Sequence, residues 1–79
     1  LGSTFHHNLE VNMSVYKLTE VVGSSKESFA DATRTAVRRA AKTIRGTSWF
    51  EVKEMRGTIK DGDIDEYQVK VAIGFKLED

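Results

Sequence analysis

The spacing of apolar residues changes period twice along the chain, and the changes mark its elements. From Val15 to Val22 (Val-Tyr-Lys-Leu-Thr-Glu-Val-Val) the residues are β-branched and alternate in polarity, which predicts a first strand punctuated by Gly23. Ser24-Ser25-Lys26-Glu27 then fits a capping box, with Ser24 as N-cap and Glu27 three residues on. Phe29, Thr33, Ala36, Val37, Ala40 and Ile44 follow at three- and four-residue spacing. That is one buried stripe on a helix running to about Arg45, with Gly46 at the C′ position. Much of the stripe is alanine, so the helix can lie close to whatever it packs on. Glu27 and Asp31 sit early, and Arg38, Arg39, Lys42 and Arg45 late, which complements the helix dipole.

The period then returns to two. Trp49 to Lys60 reads as a second strand, Asp61-Gly62 as a two-residue turn of type I′, and Ile64 to Leu77 as a third strand. On the third strand Tyr67, Val69, Val71, Ile73, Phe75 and Leu77 share one face; Glu66, Gln68, Lys70, Ala72, Gly74 and Lys76 share the other. In the second strand the apolar residues move from Phe50 and Val52 to Met55 and Ile59. This predicts a bulge near Lys53-Glu54, or a hairpin that projects beyond the helix. The order strand, helix, strand, strand makes an α+β fold. It is a βαββ subunit whose three-stranded antiparallel sheet, order 1-3-2, packs on one long helix. Phe50 and Val52 fall on the core face. Trp49, the only tryptophan, falls on the other, across from Gly74 and diagonal to Ala72, with Gln68 on the same face.

Composition narrows the function. Seventy-nine residues make one small domain, which buries a modest fraction of its surface. There is no cysteine to staple it, so self-association is the expected further source of stability, and a reducing, cytoplasmic setting fits. Lys plus Arg and Asp plus Glu each total 12, which argues against a dedicated nucleic-acid binder. No apolar run approaches the roughly 18 residues of a membrane span. Residues 1–12 lack the pattern of a signal peptide and read as a leader or expression remnant without ordered structure. Met13 is then the natural start and 13–79 the domain; His6-His7, in the leader, is not read as a metal site.

Most catalytic chemistry drops out. No histidine or cysteine lies between Met13 and Asp79, so Ser-His and Cys-His nucleophile systems are excluded within one chain. Asp61-Gly62-Asp63-Ile64-Asp65 resembles the start of a calcium loop, but its glycine is misplaced and Ala72 stands where a bidentate glutamate belongs. It reads as a solvated turn. Gly23-Ser24-Ser25 lacks the glycines and lysine of a phosphate loop. Arg34, Arg38 and Lys42 stack like charges every four residues, a solvated face or a docking face for an acidic partner such as a neighbouring subunit. Trp49 carries the specific signal. With Gly74 and Ala72 beside it, the indole forms a flat platform on which a flat aromatic ligand can stack, and Gln68 offers an acceptor and two donors to its edge. Six residues, roughly 20 Å of strand, separate Gln68 from Gly74, so one ligand would need Trp49 and Gln68 from different subunits.

Several segments together resemble one family. Val15-Tyr16-Lys17 through Val21-Val22-Gly23-Ser24-Ser25, Arg45, Trp49-Phe50-Glu51-Val52, Arg56-Gly57, Tyr67-Gln68-Val69 and Gly74-Phe75-Lys76-Leu77-Glu78 look like a bacterial dodecin. The resemblance covers essentially Met13 to Asp79. It implies a βαββ subunit assembled into a hollow homododecamer that binds flavins between subunits. On that reading Trp49 stacks on the isoalloxazine, two flavins meeting at a twofold axis between two indoles, and Gln68 hydrogen-bonds the ring. Arg56 lies near the ligand. Lys76 stands where many bacterial members have arginine near the FMN phosphate, keeping the charge but not the bidentate fork. The implied ligand is FMN, or riboflavin or FAD, with coenzyme A as a second nucleotide in some members.

Two classes of function follow. One is a non-enzymatic flavin-binding protein for storage, sequestration or buffering, without nucleic-acid or membrane partners. The other is a flavin-dependent redox enzyme or carrier, which would need room for a substrate over the ring. A ligand-free structural shell is a third outcome.

Overall fold

A computed structural model describes residues 14–77; the leader, Met13 and the terminal Glu78-Asp79 lie outside it. The elements are β1 (Tyr16–Ser25), α1 (Phe29–Thr43), β2 (Thr47–Lys60) and β3 (Asp63–Lys76). β3 is the central strand, antiparallel to β1 on one side and β2 on the other, so the sheet order is β1-β3-β2. The turn between β2 and β3 has φ of 54° at Asp61 and 77° at Gly62, the left-handed pair that a type I′ hairpin needs. The anticipated bulge is present, as a register shift between Val52 and Glu54.

The helix starts later than a cap at Ser24 predicts. β1 keeps pairing with β3 through Ser24↔Gln68 and Ser25↔Tyr67, which holds the backbone extended past Gly23. Ser28 is the N-cap, its hydroxyl accepting from the Asp31 N–H at 2.9 Å. Ser25 ties the junction: its Oγ accepts from the Glu27 N–H at 2.8 Å and donates to Asp31 Oδ2 at 2.7 Å. At the other end α1 stops at Thr43 with Ile44 as C-cap, one residue short of the position that would make Gly46 C′. Gly46 still has φ of 73°, and its carbonyl accepts from the Lys76 N–H at 3.1 Å at the start of β2.

The core lies between α1 and the β1–β3 half of the sheet. Ala32, Ala36 and Ala40 are buried against Val69, Val71 and Ile73, with Val21, Phe29, Val37 and Ile44 packed around them. The buried line is therefore rotated from the expected stripe toward Ala32, and Thr33 is only half-buried. Gly23 permits the close approach. A Cβ there would collide with the Ala32 carbonyl and come within 2.8 Å of Ala36 Cβ. Because the helix settles over β1 and β3, β2 is left largely uncovered. Phe50 is 51% exposed and Val52 41%, so neither serves the subunit core as their strand phase predicts.

Candidate functional site

Pairing carries the site residues to the sheet face opposite α1. Tyr16, Leu18, Glu20 and Val22 of β1 oppose Lys76, Gly74, Ala72 and Lys70 of β3, and Trp49, Glu51, Glu54 and Arg56 of β2 oppose Gly74, Ala72, Lys70 and Gln68. Trp49 lies directly over Gly74. A Cβ at residue 74 would fall among the indole carbons Cε2, Cζ2 and Cδ2, so the glycine is what lets the ring lie down on the sheet. The Tyr16 ring touches the indole, centroids 5.0 Å apart and planes at 57°. One face of the indole rests on the strand, Tyr16 fixes its flank, and 42% of Trp49 stays exposed. Sequence reasoning missed Tyr16. Its phase on β1 placed it on this face, but the diagonal across β3 is fixed only by the register.

Lys76 stands two residues from Gly74 on the same face and is exposed, directly across from Tyr16. Gln68 and Arg56 form a second group. They are cross-strand partners, and Arg56 Nε donates to Gln68 Oε1 at 3.0 Å while a second Arg56 nitrogen donates to Glu54 Oε1 at 3.2 Å. The carbonyl oxygen of Gln68 is occupied by Arg56, and its amide donors make no hydrogen bond among the described residues. Between the groups lies an acidic belt of Glu20, Glu51 and Glu54, partly neutralised by Lys70 at 3.6 Å from Glu20 and 4.0 Å from Glu54, and by Lys53 at 3.7 Å from Glu51. One chain thus brings Trp49 together with Lys76, and Gln68 together with Arg56. It does not bring the two pairs to one ligand, since six residues of β3 separate them by roughly 20 Å.

The aromatic platform, the glycine beneath it and the amide–guanidinium pair sit in a chain whose residues 15–78 match the family model described as Dodecin. The chain belongs to the dodecin family. It is 51% identical over 65 residues to the dodecin of Thermus thermophilus, an alignment covering 82% of this chain and 94% of that one. The solved dodecin of Streptomyces coelicolor superposes with a TM-score of 0.81 at 45% identity, covering 85% of this chain and 96% of that one. A more distant dodecin, the calcium-chelating calcium dodecin of Mycobacterium tuberculosis, superposes with a TM-score of 0.72 at 30% identity, covering 82% and 93%. The βαββ subunit with a 1-3-2 sheet is the fold these dodecins share with it.

Proposed function

We propose that the protein binds a flavin without turning it over, as a storage, sequestration or buffering protein of the cytoplasm. The observation that carries this reading is the Trp49 indole laid flat on Gly74, with its flank held by Tyr16 and its outer face open. The residues fit the group: an isoalloxazine is flat, aromatic and edged with carbonyls, and base-on-aromatic stacking is worth about 1–3 kcal/mol. In this proposal Trp49 supplies the stacking surface. The amide donors of Gln68 and the remaining donors of Arg56 meet ring carbonyls, and Lys76 offers its charge to the phosphate of FMN. A bound flavin supplies redox and light-absorbing chemistry; the chain's own residues hold it and exclude water from one ring face. No histidine or cysteine is present from Met13 onward to act as a general base or nucleophile beside it.

Because Trp49 and Gln68 are separated on one chain, the site is completed by a second subunit. A closed homo-oligomer, the hollow dodecamer of the family resemblance, is the assembly we infer. Calcium is named for one relative, the calcium dodecin of Mycobacterium tuberculosis; among the described residues of this chain no group of three or more Asp, Glu, His or Cys is placed to hold a metal ion. A coenzyme A-type nucleotide on the basic surface stays a secondary proposal. The test is mass spectrometry of ligand released from the purified protein, followed by NAD(P)H oxidation with the flavin-loaded protein. FMN or riboflavin released, with no turnover above free flavin, is the expected result. Turnover above free flavin would overturn the non-enzymatic reading.

A further inference from the structure

We infer that the outer crest of α1 is a binding surface for the phosphodiester backbone of a nucleic acid, held by charge and not by base sequence. The inference is independent of the flavin site. The zero net charge of the chain is the sum of segregated runs. Residues 34–45 carry five cations (Arg34, Arg38, Arg39, Lys42 and Arg45) and no carboxylate, whereas residues 61–66 carry four carboxylates (Asp61, Asp63, Asp65 and Glu66) and no cation. A balanced total argues against nucleic acid only where the two signs are interspersed.

The fold turns the cationic run into a row. Ala32, Ala36 and Ala40 form the buried line of α1, and Arg34, Arg38 and Lys42 each follow one of them by two residues. Two residues are about 200° of helix, so these cations stand on the side away from the sheet, about 6 Å apart and about 12 Å end to end. All three are exposed, with Arg39 and Arg45 exposed beside them. Among the described residues Asp31 is the one carboxylate that reaches the row, 3.9 Å from Arg34; Arg38, Arg39, Lys42 and Arg45 have no ion-pair partner there. Like charges stacked at this spacing oppose the helix, and a bound polyanion relieves them.

The chemistry of the row selects its partner. Arg34, Arg38 and Lys42 have no large apolar side chain between them on the crest to anchor a protein or enter a bilayer. Guanidinium forks suit phosphate oxygens, and a single line of cations follows a linear chain of phosphates better than a plane of headgroups. Trp49 and Gln68, the residues to be shared between subunits, lie on the sheet face opposite α1, so contacts that complete their site approach from the far side of the sheet.

The test is fluorescence anisotropy of a labelled oligothymidylate titrated with wild-type protein. Binding is expected at low salt. Three phosphates neutralised on a single strand give a slope of about −2 in log affinity against log salt, so a fourfold rise in salt should weaken binding roughly 15- to 20-fold. The variant Arg34→Gln/Arg38→Gln/Lys42→Gln should lose most of the binding while keeping its oligomer mass and helical circular dichroism. Saturating riboflavin should leave wild-type binding unchanged. No binding at low salt, full binding by the triple variant, or displacement by riboflavin would each overturn the inference, the last by placing the bases on Trp49. Binding of phosphatidylserine vesicles without binding of the oligonucleotide would overturn it too. If the triple variant changes oligomer mass, phenylglyoxal modification of the wild-type protein decides. Arg34 and Arg38 should react in the free protein and be shielded by the oligonucleotide; arginines that do not react, or react equally with and without it, overturn the inference.

Discussion

β2 and β3 are the two arms of one hairpin, paired along almost their whole length, yet they face opposite surroundings. On β3, Val69, Val71, Ala72 and Ile73 are almost fully buried; on β2 only Thr58 is not exposed. The contrast is sharpest at one cross-strand pair. Ile73 is 1% exposed and its partner Phe50 is 51% exposed, although both point to the helix side. The difference comes from where α1 rests. An alanine line and a strand glycine let the helix sink onto β1 and β3, and a helix of ordinary width then leaves β2 bare. One arm builds the subunit, and the other is left for surfaces outside it.

The largest expected effect separates these arms. Ile73→Ala should cost about 2–5 kcal/mol by emptying the core, so helical circular dichroism and oligomer mass should fall together on mild denaturation. Phe50→Ala should lower oligomer mass while the helical signal survives. If Phe50→Ala unfolds the chain as readily as Ile73→Ala, the division between the arms is wrong.

The β3 core, the hairpin turn, the bulge and the strand order were legible in the sequence because each rests on a local signal: alternation, Asp-Gly, and the phase shift from Val52 to Met55. The helix start was not. Ser24 and Ser28 both present capping chemistry, and the choice between them is made by tertiary pairing of Ser24 and Ser25 with β3. Nor does alternation reveal that Phe50 and Val52 lie beyond the helix, since the period gives the side of a sheet but not how far the helix covers it. Of the candidate site, the Trp49–Gly74 pairing and the distance to Gln68 could be counted out from the turn. The Arg56–Gln68 bond and the Tyr16 contact needed side-chain geometry.

A smaller effect is expected from Gly74→Ala. Its methyl group would drive the indole off the strand without touching the core, so flavin affinity should drop about tenfold, or about 1.4 kcal/mol, with the fold intact. Unchanged affinity would mean that the ring does not need its seat on Gly74.

The smallest concerns the exposed Lys26–Asp65 pair. The hydrogen bond and charge of Asp65 raise the Lys26 pKa above its ordinary 10.5. A raised lysine pKa contributes stability that is fully present below 10.5 and lost as pH climbs through the folded-state value. The melting difference between wild type and Lys26→Met should therefore be small and flat from neutral pH to about pH 9, shrinking only at more alkaline pH. A difference that changes between pH 6 and about pH 8 would assign it to another group.

The indole platform of Trp49 is the centre of the proposed flavin site. Riboflavin or FMN titrated into ligand-free protein should lose most of its fluorescence on binding, because the proposed site puts the ring against Trp49. Trp49→Ala should weaken binding by about 1–3 kcal/mol and remove most of that quenching. Gln68→Ala should cost about 0.5–1.5 kcal/mol and leave much of the quenching in place. A Trp49→Ala protein that binds and quenches flavin like wild type would contradict the account.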